Sequence, residues 1–327
     1  LKTLHFIFNR LMVLWLIACS LVAYFLPKPF LFLKPSLLWL LAAVLFFMGL
    51  TLKWSDIGRI FRSPVALIAG IVGKWIVVPL VAYLCAIIFF SHQPQIAAGV
   101  ILDGSTPSGV SANLFTFLSG GTVALSVSMS AINTLISPLL TPPATSMLAH
   151  HFVTVSAKAM FIQMIQVVIV PVLLGLVLRS LFRKQVDAVQ PVLPVLSAIT
   201  LDLIVLDLVA SGSLVISKNA HIIPEIIMVT CIQIIVTLFL GWFIGFIFKL
   251  SKPDRRAIMF EVGIYNSGLG ASLAAKDIGA LASLPALANT IFNLIIGALV
   301  TAYFAYKNSK ESNSEVSQDP SASAAVQ

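Results

Sequence analysis

At 327 residues, 59% hydrophobic and 10% charged, with a mean hydropathy of +1.04, the sequence carries too little polar surface to wrap a water-soluble core of this length. A membrane β-barrel is excluded too, because the apolar residues form near-continuous Leu, Ile, Val and Phe runs instead of short alternating segments. The net charge of +8 calls for no nucleic-acid partner: it lies largely between the apolar runs, where it orients a membrane protein and meets phospholipid.

A helix needs about 20 residues to cross a bilayer core of about 30 Å. Ten apolar runs of roughly this length predict ten membrane helices, at 11–26, 35–52, 65–91, 95–118, 122–149, 157–182, 192–216, 222–248, 254–275 and 283–306. The first run lacks a following small-residue cleavage pattern and reads as a retained helix. Lys74 interrupts the third. The fourth holds Asp103 and then Gly104-Ser105-Thr106-Pro107-Ser108-Gly109, where Pro107 cannot donate a backbone hydrogen bond. Only Ser119-Gly120-Gly121 separates the fourth run from the fifth. Gln163 and Gln166 lie on the sixth, Thr200, Asp202 and Asp207 on the seventh, and Asn293 on the tenth; the two aspartates are five residues apart and face different directions on a helix. Residues 309–327, rich in Ser, Glu and Ala, read as a disordered tail.

The ninth run contains Phe260-Glu261-Val262-Gly263-Ile264-Tyr265-Asn266-Ser267-Gly268. An ionisable residue at bilayer depth costs roughly 3 kcal/mol on insertion scales, so Glu261 is a candidate site for an ion, a proton or a substrate. The adjoining glycines weaken the helix and free backbone groups beside it.

Shifted by 159 residues, the chain matches itself: Ser108-Gly109-Val110-Ser111-Ala112-Asn113-Leu114 lies over Ser267-Gly268-Leu269-Gly270-Ala271-Ser272-Leu273, with Gly104 over Gly263, Pro35 over Pro194 and Lys74 over Gln233. Five helices per half is an odd number, so residues 153–308 form an inverted copy of residues 1–152. That is the architecture of an alternating-access carrier with its site where the halves meet. Two breaks at matching positions offer free amides to an anion and free carbonyls, with Glu261, to a cation. Close helix packing is the competing explanation for the glycines.

The remaining signals are weaker. Cys19, Cys85 and Cys231 are isolated packing residues, and His150-His151 lacks a third ligand for a metal. Nucleotide-binding and hydrolase motifs are missing from the sequence. The 14 Lys and Arg at 1–10, 53–64, 179–184, 249–256 and the tail, against five on the opposite side, predict that both termini are cytoplasmic.

Glu261-Val262-Gly263, Asn266-Ser267-Gly268-Leu269, Ser108-Gly109 with Asn113, and Val123-Ala124-Leu125-Ser126-Val127 continuing to Thr134-Leu135-Ile136-Ser137-Pro138 together resemble the bile acid:sodium symporter family, over nearly the whole chain to about residue 308. The resemblance implies an all-α protein with a panel domain of helices one, two, six and seven and a core domain of the others. Helices four and nine would cross as unwound pairs, with two sodium ions behind the crossover and an organic anion in front. One sodium would meet Asn113, Ser126, Ser130 and Glu261; Ala112 stands where the family commonly has serine. A second would meet Glu261 and backbone around Val262 and Ile264, but Lys74 and Tyr265 stand where the family offers glutamines.

Lys74 therefore reads as a tethered cation replacing the second sodium, as a proton carrier, or as a fixed ion pair with Glu261 or another buried acid. Amides at Val110, Ser111, Ser267 and Gly268, with Ser108, Gly109, Asn266 and Asn293 nearby, would hold the carboxylate of a small organic anion. A pantoate-like hydroxy or keto acid fits a bacterial-looking chain of this size better than a bile acid, and no protein partner is implied. The expected location is the bacterial inner membrane. An intramembrane enzyme using Asp202, Asp207 or Glu261, or an anion sensor, stays open at this point.

Overall fold

The computed structural model describes residue 15, residues 17–52 and residues 64–318. The basic stretch at 1–10 and nearly all of that at 53–64 lie outside the described residues. The described residues are helical almost throughout: α1 (17–25), α2 (Leu37–Thr51) behind a 3-10 segment at Lys28–Ser36, α3 (Pro64–Phe90), α4 (Pro94–Gly104), α5 (Ser111–Leu118), α6 (Val123–Leu148), α7 (Ala157–Leu181), a short α8 (Arg183–Val189), α9 (Leu193–Lys218), α10 (Ile223–Ile247), α11 (Lys252–Gly263), α12 (Ser267–Asp277) and α13 (Ala280–Gln318). Among the described residues, seven stretches are long and apolar enough to cross a membrane: Lys28–Thr51, Pro64–Phe90, Val123–Leu148, Ala157–Leu181, Leu193–Lys218, Ala220–Ile247 and Ala280–Asn308. The protein is a helical, polytopic membrane protein.

The fourth and ninth expected helices are each two short ones. α4 and α5 have 11 and 8 residues, α11 and α12 have 12 and 11. Pro107 and Ser108 lie between the first pair, and Ile264 to Asn266 between the second. At the thin boundary between α5 and α6, Gly120 adopts φ +74°, a left-handed turn that only glycine takes without strain. Both α3 and α7 contain a π-turn, at Gly73–Val77 and Ile165–Ile169; the first carries Lys74.

Packing separates two groups. α2 packs chiefly against α7 and α9, while α10 packs on α11 and α13, α12 on α13, and α4 on α3 and α13. α6 touches both groups, as does α9 through α12 and α13. α13 differs from expectation at its end: it continues to Gln318, inside the stretch read as a disordered tail. After Gly297 no glycine or proline occurs until Pro320, so nothing in the backbone chemistry stops the helix earlier.

Candidate functional site

The two helix breaks are hydrogen-bonded to each other. Ser108 and Tyr265 form an isolated antiparallel bridge, the Gly109 amide donates to the Ile264 carbonyl at 2.9 Å, and the Asn266 amide donates to the Pro107 carbonyl at 2.9 Å. Backbone freed by each break is thus used by the other, as a dry interior demands. A Cβ on Gly109 would sit 2.5 Å from the Tyr265 carbonyl oxygen, so this approach needs glycine. The Asn266 side chain caps α12 by accepting from the Leu269 amide at 3.3 Å.

Glu261, in the last turn of α11, is fully buried. Its Oε1 accepts from Ser126 Oγ at 2.6 Å and from Ser130 Oγ at 2.8 Å. Ser126 Oγ also lies 2.8 Å from Asn113 Oδ1 and 3.2 Å from Thr116 Oγ1, and Ser130 Oγ lies 3.5 Å from Asn113 Oδ1. Three hydroxyl protons therefore serve five close oxygen–oxygen contacts, and two of those contacts bring lone pairs face to face. An oxygen-only cluster with excess lone pairs and one carboxylate is chemically suited to a small hard cation. Asn113, Ser126, Ser130 and Glu261 are brought together here from α5, α6 and α11.

The other carboxylate oxygen, Glu261 Oε2, has no hydrogen-bond partner in the structure. Lys74 lies within electrostatic reach of this carboxylate, beside Tyr265. Lys74 is completely buried, its Nζ has no hydrogen-bond partner, and it sits 4.1 Å from the centroid of the Tyr265 ring. The salt bridges among the described residues are Arg179–Asp187 and Arg183–Asp187, so the fixed Lys74–acid pair expected as one alternative is not formed in this state. The Tyr265 hydroxyl shares a 2.6 Å hydrogen bond with Thr237 Oγ1. The Ile264 carbonyl serves Gly109, and the Glu261 carbonyl accepts from Ser108 Oγ at 2.7 Å.

Two residues absent from the sequence-based site belong to this network, and a third pairs with Asp103 beside the first break. Asn133 donates to Ser108 Oγ at 2.9 Å and accepts from the Trp75 indole at 2.8 Å, joining α6 and α3 to the first break. Thr116 joins the oxygen cluster from α5. Asn289 donates to Asp103 Oδ2 at 2.6 Å. A polar stripe on α6, Ser126, Ser130, Asn133, Ser137, Thr141 and Thr145 at three- and four-residue spacing, was the available signal, and all six are buried.

Asn293 donates to the Tyr265 carbonyl at 3.2 Å and to Ser267 Oγ at 3.4 Å, tying α13 to the second break. Val110 is exposed, Ser111 and Gly268 are half-buried, and Ser267 is buried. Asp207 is buried and accepts from Ser211 one turn along its own helix, whereas Asp202 is half-buried with Oδ1 unpartnered. Among the described residues, neither aspartate shares a hydrogen bond with the crossover. His150 and His151 face each other edge-on, and no metal-binding cluster of His, Cys, Asp and Glu occurs among the described residues.

The model of the sodium bile acid symporter family matches residues 38–219. A Bacillus subtilis (strain 168) chain, the uncharacterized sodium-dependent transporter YocS, is 32% identical over 303 residues, covering 91% of this chain and 92% of that one. The probable chloroplast sodium/metabolite cotransporter BASS1 is similar as well. It is 31% identical in Arabidopsis thaliana, over 77% of this chain and 62% of the relative, and 30% identical in Oryza sativa subsp. japonica, over 88% and 70%.

Proposed function

We propose, from the premise that this chain belongs to the sodium bile acid symporter family and is a sodium-dependent membrane transporter, not an enzyme, that it imports a small organic anion by alternating access. The observation that carries the coupling is the surplus of facing oxygen lone pairs among Asn113, Thr116, Ser126, Ser130 and Glu261. Sodium is the cargo these oxygens would hold. Thr116 lies four residues beyond Ala112, on the same face of α5, and supplies a hydroxyl where the family's serine is missing.

The ten-helix, two-fold inverted organisation is supported by the internal match at 159 residues and by the mutual pairing of the two breaks. The α2–α7–α9 group agrees with a panel and the remainder with a core that rocks against it. The basic residues at 179–184 and 249–256 favour cytoplasmic termini in a bacterial inner membrane. The amides at the starts of α5 and α12 favour a carboxylate in front of the crossover. Those of Ala112, Leu269 and Gly270 are occupied by Gly109 and Asn266, leaving Val110, Ser111, Ser267 and Gly268 as the donors for a pantoate-like hydroxy or keto acid.

Lys74 acts as a tethered cation in place of a second sodium. Its position above Tyr265, in the residue pair that departs from the family's glutamines, supports this reading over one with two ions. With Lys74 charged throughout, one sodium and one monoanion cross together and no net charge moves. Uptake into proteoliposomes under a sodium gradient, with and without a membrane potential, tests both points. Sodium-driven accumulation indifferent to potential is expected; binding without accumulation would sink the carrier reading, and strong potential dependence would sink the single-ion one.

A further inference from the structure

Asp103 ends α4 immediately before the first break and is almost fully buried. One of its oxygens, Oδ2, accepts from Asn289 Nδ2 at 2.6 Å. The other, Oδ1, has no partner, and neither has Asn289 Oδ1, the remaining acceptor of the same pair. The Asp103 main-chain carbonyl is occupied separately by the Thr106 hydroxyl at 2.7 Å. A Cβ on Gly270 would lie 2.8 Å from Asp103 Oδ1, so the first turn of α12 closes over this oxygen and shields it from water.

An ionised carboxylate leaves this pair with two acceptors outside hydrogen-bond geometry, and only the nearby Ser267 hydroxyl and Lys74 to offset a buried charge. A carboxylic acid resolves both orphans at once. Its O–H donates to Asn289 Oδ1 while its carbonyl oxygen accepts from Asn289 Nδ2, as in an acid–amide pair. Of the elements packed on Asp103, α3 brings Lys74, the second break brings Tyr265 and the start of α12 brings the Ser267 hydroxyl close to the carboxylate; α6 and the middle of α13 bring neutral side chains. The pair shares no hydrogen bond with the oxygen cluster around Glu261 among the described residues.

We propose that Asp103 and Asn289 form a proton-binding site, distinct from the sodium cluster, that holds one proton in this conformation. The site joins α4, α12 and α13 at the crossover. Movement of these helices changes whether Asp103 Oδ1 meets Asn289 or water, so proton occupancy follows the transport state. A proton taken from water binds Asp103 Oδ1, and the same bond breaks when the oxygen is rehydrated. This deepens the transporter reading by adding a second ion-handling group to it.

Infrared spectroscopy of the purified full chain in lipid tests the site through the carbonyl stretch of a protonated carboxylic acid at neutral pH. The band is expected in the parent protein and in Glu261→Gln, and absent in Asp103→Asn. Its persistence in Asp103→Asn overturns the proposal. Asp103→Asn reproduces the neutral shape and can form an amide–amide pair, so its melting temperature at neutral pH should match the parent's. A large fall would instead show that a charged Asp103 is needed, and would also overturn the proposal. Asn289→Leu keeps the acid but removes the N–H to its carbonyl, so the band should move to higher frequency; an unmoved band counts against the pairing. Sodium-driven uptake by the parent protein is a separate readout, and its failure would remove the transporter reading while leaving the proton site standing.

Discussion

Glu261 stands between two regions of different chemistry. Oε1 meets hydroxyls from α6 that are themselves linked to Asn113 and Thr116 on α5, all neutral oxygens. Oε2 has no hydrogen bond, and within electrostatic reach of the same carboxylate α3 places the unpartnered Lys74 amino group over an aromatic ring. A mobile ion suits the first region because its lone pairs exceed its protons. In the proposed reading the second region carries its positive charge covalently on Lys74, so that one carboxylate stands between a cation that comes and goes and one that stays.

Removing the carboxylate charge breaks both regions together and should have the largest effect. Glu261→Gln is expected to abolish sodium-driven uptake, by about 100-fold or more, because it leaves the cluster without charge and removes one of the two acids near the buried Lys74. Sodium-dependent thermal stabilisation should vanish with it. If sodium still stabilised the variant as it does the parent, the cluster on the Oε1 side would not be the ion site.

Substitutions confined to one region separate the two. Ser126→Ala and Asn113→Ala should each weaken sodium half-saturation about tenfold, the loss of roughly 1.4 kcal/mol from one oxygen contact, with the sodium Hill coefficient unchanged. Lys74→Gln should do the reverse, shifting the Hill coefficient from about 1 towards 2 or introducing a new pH response, with less change in half-saturation. An unchanged coefficient and an unchanged pH response in Lys74→Gln would remove every functional role proposed for the lysine. Thr237→Val reaches the same region indirectly, by removing the Thr237 hydrogen bond to the hydroxyl of Tyr265, whose ring lies under Lys74. It should lower stability by about 1 kcal/mol, seen as a reduced melting temperature.

Much of the Oε1 side was legible in the sequence, because buried polar residues stand out against apolar helices. Glu261, Asn113, Ser126 and Ser130 lie in stretches where hydroxyls and amides have no solvation role. The breaks were equally readable, since Pro107 and the paired glycines leave backbone groups that must find partners. What the sequence does not carry is which group answers which. That Gly109 bonds Ile264 depends on two half-helices crossing more than 150 residues apart in the chain, and that Asn133 reaches Ser108 depends on how α6 packs on the first break, both beyond any local pattern. Asn289 was passed over for a related reason: in isolation it is one amide in an apolar helix, and only its contact with Asp103 gives it a role. The continuation of α13 past residue 308 went the other way, as the polar composition pointed to disorder while the lack of a helix breaker allowed the helix to run on.

The smallest expected effect bears on how the Oε1 region tolerates its missing serine. Ala112 is fully buried, so a hydroxyl there would point into the core, and Thr116 one turn along already contacts Ser126 at 3.2 Å. If Thr116 has taken over the oxygen, Ala112→Ser adds little and should change sodium half-saturation by no more than about threefold. Thr116→Val should weaken it by about fivefold, and the double variant Ala112→Ser with Thr116→Val should recover most of that loss, a coupling that distant, independent sites do not show. Additive single effects, with no recovery in the double variant, would mean that Thr116 packs against the cluster without serving the ion and that the Oε1 side works with four oxygen-bearing residues instead of five.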